Sequence, residues 1–154
     1  MVFAIDNEIL KKFSAWYKEA ELREPSNPNA MALATSSSGG FPSVRIVLMK
    51  SYDNKGFVFF TNLNSQKGRE LKTNPKVSAC FHWKSIDKQV RMEGSVALVD
   101  SEEADAYFAS RPRASQIGAW ASKQSEIMEG RFAFESRIAK YSAKFNVMKI
   151  PRPN

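Results

Sequence analysis

The sequence contains one cysteine and one histidine, and this scarcity excludes several kinds of site. Cys80 is the only cysteine among the 154 residues, so a disulfide within the chain and a CxxC zinc or redox motif are both excluded. His82 is the only histidine, so a multi-histidine metal centre is excluded and a Ser-His-Asp triad would have to use it. We interpret Cys80 as a small core residue and His82 as a half-buried, hydrogen-bonded strand residue.

Long apolar runs are also absent. No stretch approaches the roughly 18 apolar residues that a membrane span requires. The first residues, MVFAIDNEILKK, lack the basic-then-apolar order of a signal peptide. Together with the single cysteine, these absences predict a cytoplasmic protein that does not act at a membrane.

Positive charge is in excess. Lysine and arginine number 23 against 16 aspartate and glutamate, which gives a formal net charge of +7. This balance favours an anionic partner, whether a phosphorylated small molecule, a nucleic acid or an acidic membrane surface, and charge alone does not choose among them. With 43% hydrophobic and 25% charged residues, the chain has the composition of one globular domain, which we expect to span residues 1–154.

Hydrophobic periodicity predicts a helix followed by a sheet. Over residues 6–22 the apolar residues recur every three or four positions after Asp6, which indicates an amphipathic helix with Asp6 as its N-cap. Residues 30–99 contain five short runs rich in β-branched and aromatic residues, which are typical of strands. Glycine- and asparagine-containing turns separate the first three runs, so we expect an antiparallel meander. Ser65 is predicted to cap a short helix between the third and fourth strands.

The remaining residues are helical in pattern. Residues 101–145 predict a first helix capped by Ser101 and a long charged helix over 126–145. Residues 147–154 contain two prolines, and we expect them to leave the domain. Since the five strands lack βαβ alternation, the fold is predicted to be mainly β with flanking helices, as an antiparallel barrel or curled sheet.

Three groups of polar residues are candidates for binding an anion. Arg45 and Lys50 lie five apart on one strand, so they point to opposite faces and either serve two anionic groups or extend into water at the strand ends. A second group surrounds Lys67, where a strand turns into a helix and free backbone N–H groups favour phosphate. A third group lies within residues 107–125 and suits phosphate and amide contacts, or else forms a solvated helix-loop-helix.

Three strings of residues resemble a known enzyme family. They are RIVLMK at 45–50, FFTNLNSQKGREL at 59–71 and YFASRPRASQIGAWASKQS at 107–125. Together they resemble pyridoxamine 5'-phosphate oxidase, and the resemblance runs from about residue 9 to residue 153. It implies a split β-barrel of the FMN-binding type, assembled as a homodimer with FMN at the subunit interface.

The resemblance also implies roles for individual residues. Residues that match the family's FMN contacts are Arg45, Ile46, Val47, Leu48, Phe60, Thr61, Gln66, Lys67, Gln89, Gln124 and Ser125. Residues that match the grip on the substrate's phosphate are Lys50, Tyr107, Arg111 and Ser115. No metal is implied, and the catalytic group is not among these residues.

The chain departs from the family pattern at two places. Gln66 stands where the family usually has an arginine, so a neutral hydrogen bond replaces a charge-assisted one and FMN affinity is expected to fall. The family's C-terminal strands carry an Arg-x-His group over the substrate ring, and no counterpart follows before Asn154. We therefore expect slow oxidation in a chain of this length.

The implied reaction is FMN-dependent oxidation of pyridoxamine or pyridoxine 5'-phosphate to pyridoxal 5'-phosphate, with oxygen as acceptor, in vitamin B6 metabolism. The alternative is an FMN-binding split-barrel protein with little or no oxidase activity. A third hypothesis, which ignores the resemblance, is a small basic barrel that binds single-stranded nucleic acid. The expected partners are phosphorylated B6 vitamers and a second copy of the chain, with no nucleic acid and no membrane.

Overall fold

The computed structural model describes residues 5–122, 124–125 and 130–153. The chain divides into two compact units, one formed by Met1–Thr61 with Glu70–Val96 and the other by Asn62–Arg69 with Ala97–Asn154. The expectation of a single domain stays a prediction. Among the described residues, no helix combines the length and apolarity needed to cross a bilayer.

The first unit begins with helix α1, Asn7–Arg23. Asp6 caps it, because its side chain accepts hydrogen bonds from the backbone N–H groups of Glu8 at 2.8 Å and Ile9 at 3.2 Å. The inward stripe of the helix buries Phe13 and Ala20. The predicted helix over residues 6–22 is therefore confirmed.

Five antiparallel strands form one sheet in this unit. They are β1 Ala30–Ser36, β2 Pro42–Asp53, β3 Gly56–Phe59, β4 Lys76–Trp83 and β5 Lys88–Ser95. Their order is β3-β2-β1-β4-β5, which contains the predicted meander of the first three strands. Strand β5 ends at Ser95, which pairs with Lys76, the first residue of β4, rather than near residue 99. The Val96 N–H still donates to the Pro75 carbonyl at 2.9 Å, but Pro75 has no N–H with which to continue the ladder.

One face of the sheet and α1 enclose the core of the first unit. Leu33, Phe81 and Trp83 are at most 2% exposed and pack with Phe13 from the helix. The indole N–H of Trp83 donates to the carbonyl of Pro28 at 2.7 Å, so the one polar atom of this side chain is satisfied. On the opposite face of the sheet, the β2 side chains of Val44 and Ile46 are exposed.

Helix α2, Gln66–Thr73, is shared between the units, with residues 66–69 in the second and 70–73 in the first. The Ser65 hydroxyl accepts from the backbone N–H of Gly68 at 3.3 Å, so the predicted cap is confirmed. Gly68 lies against the preceding turn: a Cβ at this position would stand 2.2 Å from the carbonyl oxygen of Leu63.

The second unit also contains α3 Ser101–Ser110, α4 Arg113–Ala121 and α5 Arg131–Phe145. The predicted cap of α3 was wrong by one residue: the Asp100 side chain, not Ser101, accepts from the N–H of Glu103 at 2.7 Å, because a carboxylate one residue earlier reaches the same amide. Helix α4 was not predicted as a separate element. The predicted long helix is observed from Arg131, and residues 126–129 of that prediction lie outside the described residues.

The prediction that residues 147–154 leave the domain was wrong for the described part, residues 147–153. Ile150 is 2% exposed and packs with Phe108 and Phe145 in the core of the second unit. The indole N–H of Trp120 donates to the carbonyl of Pro151 at 2.8 Å. Prolines prevent a helix here but leave carbonyls available, and α4 uses one of them.

Substitution of Gly68 by alanine should destabilise the protein by about 1 to 3 kcal/mol, because the new methyl group must displace the backbone of Leu63. The matched control is Gly118→Ala in α4, where a Cβ would meet no atom within 4 Å. That change should stabilise by about 0.5 to 1 kcal/mol through the higher helix propensity of alanine. Urea denaturation measures both, and equal stabilities would contradict the close approach at Gly68.

A second prediction concerns acid stability. Glu24 accepts hydrogen bonds from the hydroxyl of Ser85 at 2.6 Å and its backbone N–H at 2.9 Å, and these bonds hold the pKa of Glu24 below its ordinary value of 4.5. The pKa of Glu24 is lower in the folded than in the unfolded protein. Its contribution to folding stability is therefore complete above the unfolded-state pKa and is lost as the pH falls through the folded-state pKa. Glu24→Gln should therefore be less stable than the unmodified chain at neutral pH, with the difference shrinking in acid.

Urea midpoints at pH 7 and at pH about 3 test this expectation. Glu93→Gln is the control, because it removes an exposed carboxyl from the same unit. The same pH dependence in all three proteins would show that the Ser85 contacts contribute nothing.

Candidate functional site

Strand β2 presents different side chains on its two faces. Arg45 falls on the inner face with the buried Val47 and Met49, whereas Lys50 is exposed and stands where the β2–β3 register shifts between Met49 and Ser51. The placement of the two cations on opposite faces, which assumes a regular strand, stays a prediction. Ile46 is 65% exposed and Leu48 37% exposed, and both belong to the outer face.

The guanidinium of Arg45 is the centre of a polar cluster at the end of the inner face. Its Nη1 donates to the Leu33 carbonyl at 3.2 Å and to the Thr35 hydroxyl. Its Nη2 donates to the Ser43 hydroxyl at 2.5 Å and lies 3.4 Å from a carboxylate oxygen of Glu70. The Arg45 side chain is 20% exposed and that of Glu70 is 9% exposed. Arg45 is thus held from several directions and retains limited access to solvent.

The three side chains that contact Arg45, those of Thr35, Ser43 and Glu70, were not predicted from the sequence. Thr35 and Ser43 are directly opposed in the β1–β2 ladder, so a correct register would have brought them together. Glu70 is 25 residues from Arg45 along the chain and stands in a helix that otherwise carries Lys67, Arg69 and Lys72. The one carboxylate in this basic helix was the available sign that Glu70 has a specific partner.

A second polar cluster forms at the start of α2, within the second unit. The Lys67 ammonium donates to the Ser65 hydroxyl at 3.3 Å and to the Gln124 side-chain oxygen at 3.0 Å, while Lys67 is only 8% exposed. The structure therefore brings together two residues predicted to contact one cofactor, although 57 positions separate them. Ser125, which follows, has φ +67°, a left-handed conformation that is uncommon for serine.

Three of the residues expected to grip the substrate's phosphate lie around the junction of α3 and α4. Tyr107 is in the last turns of α3, Arg111 directly follows that helix, and Ser115 is in the first turn of α4. The guanidinium of Arg111 is 6.0 Å from the ring centroid of Phe108. The Gln116 side chain donates to the Arg111 carbonyl at 2.7 Å, which fixes the junction.

The other predicted residues are distributed over both units. Phe60 and Thr61 follow β3 and are half-buried, Gln89 is exposed on β5, and Gln66 is the exposed first residue of α2. Lys50 belongs to the first unit, whereas Tyr107, Arg111 and Ser115 belong to the second.

The interpretations of His82 and Cys80 were wrong. His82 is exposed and Cys80 is half-exposed. The reason is strand alternation: Ala79, Phe81 and Trp83 occupy the inner positions of β4. Cys80 and His82 alternate with them and therefore point outward. His82 pairs with Gln89 across the β4–β5 ladder.

Sequence comparison identifies similar proteins. A family model described as pyridoxamine 5'-phosphate oxidase matches residues 17–145. A pyridoxine/pyridoxamine 5'-phosphate oxidase of Agrobacterium fabrum is 53% identical over 152 residues, which are 99% of this chain and 74% of the relative. Another of that name, from Rhodopseudomonas palustris strain HaA2, is 58% identical over 141 residues, covering 92% of this chain and 66% of the relative.

Solved structures support the same fold. PhzG from Burkholderia lata, in complex with tetrahydrophenazine-1-carboxylic acid, superposes with a TM-score of 0.86 at 29% identity, over 94% of this chain and 70% of that one. A pyridoxamine 5'-phosphate oxidase-related FMN-binding protein from Nostoc punctiforme superposes with a TM-score of 0.64 at 19% identity, over 81% and 70% of the two chains. The predicted antiparallel β fold with flanking helices is confirmed.

Proposed function

Because the chain belongs to the pyridoxamine 5'-phosphate oxidase family, we propose that it binds FMN and oxidises pyridoxamine or pyridoxine 5'-phosphate to pyridoxal 5'-phosphate, with oxygen as acceptor. The observation that carries the proposal is the buried Lys67 ammonium, held by Ser65 and Gln124 at the start of α2. Lys67 and Gln124 are both residues that the resemblance assigns to FMN.

The residues at this position have the chemistry that a phosphate ester needs. A phosphate group accepts hydrogen bonds from ammonium groups, and the Lys67 ammonium lies at the N-terminus of α2, where the helix dipole favours an anion. The Gln124 amide carries both a donor and an acceptor. In our proposal Lys67 and Arg45 bind the FMN phosphate and Gln124 and Ser125 contact the cofactor as well.

The substrate's phosphate is assigned to a separate set of donors. Arg111 and Tyr107 flank the end of α3 and Ser115 begins α4, so one junction provides a guanidinium and two hydroxyls. Lys50 completes the set in our proposal. Two sets of cations for two phosphates also give the net charge of +7 a role, since positive potential raises the local concentration of anionic ligands.

When bound, FMN would supply the redox chemistry, as the hydride acceptor for oxidation at the C4' carbon of the substrate, with oxygen as the final acceptor reduced to hydrogen peroxide. The residues of this chain bind and orient the two phosphates so that the reacting atoms meet. Peroxide release from pyridoxamine 5'-phosphate, with FMN added, tests the reaction. FMN binding without peroxide would favour the alternative of an FMN-binding protein with little oxidase activity.

We predict that FMN binds and that Lys67→Ala weakens binding by about 1.5 to 3 kcal/mol, the usual contribution of a hydrogen bond to a charged group. Quenching of flavin fluorescence on titration gives the dissociation constant. Lys72→Ala is the matched control, because it removes an exposed lysine from the same helix. Equal losses in both variants would indicate general electrostatic attraction rather than a phosphate site.

Gln66→Arg should tighten FMN binding, because a charge-assisted hydrogen bond replaces a neutral one beside Lys67. The exposed position of Gln66 leaves room for the longer side chain. An unchanged dissociation constant would show that residue 66 does not face the phosphate.

We also propose a homodimer, supported by the outer face of β2. Val44 is 68% exposed and Ile46 65% exposed on adjacent outward positions, and monomeric proteins rarely leave such apolar strips uncovered. The prediction is that the chain sediments as a dimer and that Val44→Glu shifts it to monomer by placing charge on the shared face. Leu22→Glu is the control, an exposed leucine on α1 that is 88% accessible. A monomer that binds FMN tightly would contradict a site shared by two subunits.

A further inference from the structure

The carboxylate of Glu70 is buried beside Arg45, and its contacts are specific. Glu70 is 8% exposed. Its Oε2 atom accepts from the Thr35 hydroxyl at 2.5 Å and from the Ser43 hydroxyl at 2.7 Å, and it lies 3.4 Å from Nη2 of Arg45. All four residues belong to the first unit. A buried charge persists only where it is paired and hydrogen-bonded, and this one is both.

The direction of the hydrogen bonds follows from the chemistry of arginine. A guanidinium only donates, so the hydroxyls of Thr35 and Ser43 must accept from Arg45. Each hydroxyl has one proton, and that proton goes to Glu70. Glu70 therefore orients both hydroxyls, and the hydroxyls in turn determine where the guanidinium lies. Without the carboxylate, each hydroxyl can rotate about its C–O bond and no longer presents a fixed acceptor to Arg45.

We propose that Glu70 is a positioning residue that holds Arg45 in the orientation that receives the FMN phosphate. This inference rests on the proposed function, in which Arg45 contacts that phosphate. Glu70 itself carries the charge of the wrong sign for a phosphate, so its role is exerted through Arg45. Thr35 and Ser43 connect Glu70 to Arg45 through their hydroxyls.

Two opposing effects follow from a change at Glu70. Its negative charge repels a phosphate, so its removal favours binding through electrostatics. Its hydrogen bonds hold the long Arg45 side chain in place. Without Glu70, FMN binding would have to order that side chain, and the lost conformational entropy would weaken binding. We expect orientation to dominate, because removal of the carboxylate takes a fixed partner from both hydroxyls and from the guanidinium at once.

The test compares FMN with riboflavin, which lacks the phosphate, in fluorescence titrations of the whole chain. Glu70→Ala should raise the FMN dissociation constant about tenfold, the cost of ordering a freed arginine, and leave that of riboflavin unchanged. Glu70→Gln retains an oxygen acceptor for the hydroxyls, so its loss should be smaller than that of Glu70→Ala. In a double-mutant cycle with Arg45→Ala, the effect of Glu70→Ala on FMN should disappear.

The controls separate positioning from general stability. Glu24→Ala removes another hydroxyl-bonded carboxylate of the same unit, so its midpoint of unfolding should fall while its FMN-to-riboflavin affinity ratio stays constant. If Glu70→Ala does not fold, Ser43→Ala removes one link between Glu70 and Arg45 and should lower the same ratio.

The possible outcomes are distinct. Unchanged or tighter FMN binding by Glu70→Ala, or parallel loss of FMN and riboflavin, overturns the positioning role while the proposed function stands. An unchanged ratio in Ser43→Ala overturns it too. Absence of FMN binding by the unmodified chain overturns the proposed function itself, and the role of Glu70 falls with it.

Discussion

The alternation of side chains over residues 42–49 of β2, before the register shift between Met49 and Ser51, is the constraint on which the first unit depends. This strand is 12 residues long and pairs with both β1 and β3. Its inner positions carry Val47 and Met49 into the core and Arg45 into the polar cluster, while Val44 and Ile46 fall on the outer face. A shift of register by one residue would exchange the inner and outer side chains. Val44 or Ile46 would then take the place of Arg45 in the polar cluster. The core, the polar cluster of Arg45 and the candidate subunit interface are therefore determined together.

Packing around α1 keeps that register in place. Phe13 contacts aromatic residues from three strands, with its ring centroid 4.9 Å from that of Tyr52, 4.8 Å from that of Phe57 and 5.5 Å from that of Phe81. Edge-to-face and tilted pairs of this kind are directional, so they favour one arrangement over a set of equivalent ones. The helix and the β2–β3 hairpin thus restrain each other, and β2 has little freedom to slide.

The accuracy of sequence-based prediction differs between local and distant features. The first helix, the strand meander and the cap at Ser65 follow from short-range periodicity and turn chemistry, and the structure has them. The end of β5 depends on where its partner begins, and the Glu70 contact with Arg45 joins residues 25 positions apart. Periodicity contains no information on such pairings. The expected FMN and substrate residues came from resemblance, and Lys67 with Gln124 is a pair of them that the structure brings into contact.

The distribution of tryptophans gives the two units separate optical environments. Trp83 is 2% exposed in the apolar core of the first unit, and Trp16 lies on α1 with the ammonium groups of Lys12 and Lys88 within 5.4 Å of its ring centroid. Trp120 belongs to the second unit, with Lys144 5.5 Å from its centroid and its N–H bound to the carbonyl of Pro151. Since indole emission depends on local polarity and nearby charge, single-tryptophan versions of this chain would report the unfolding of each unit by the wavelength of its own emission.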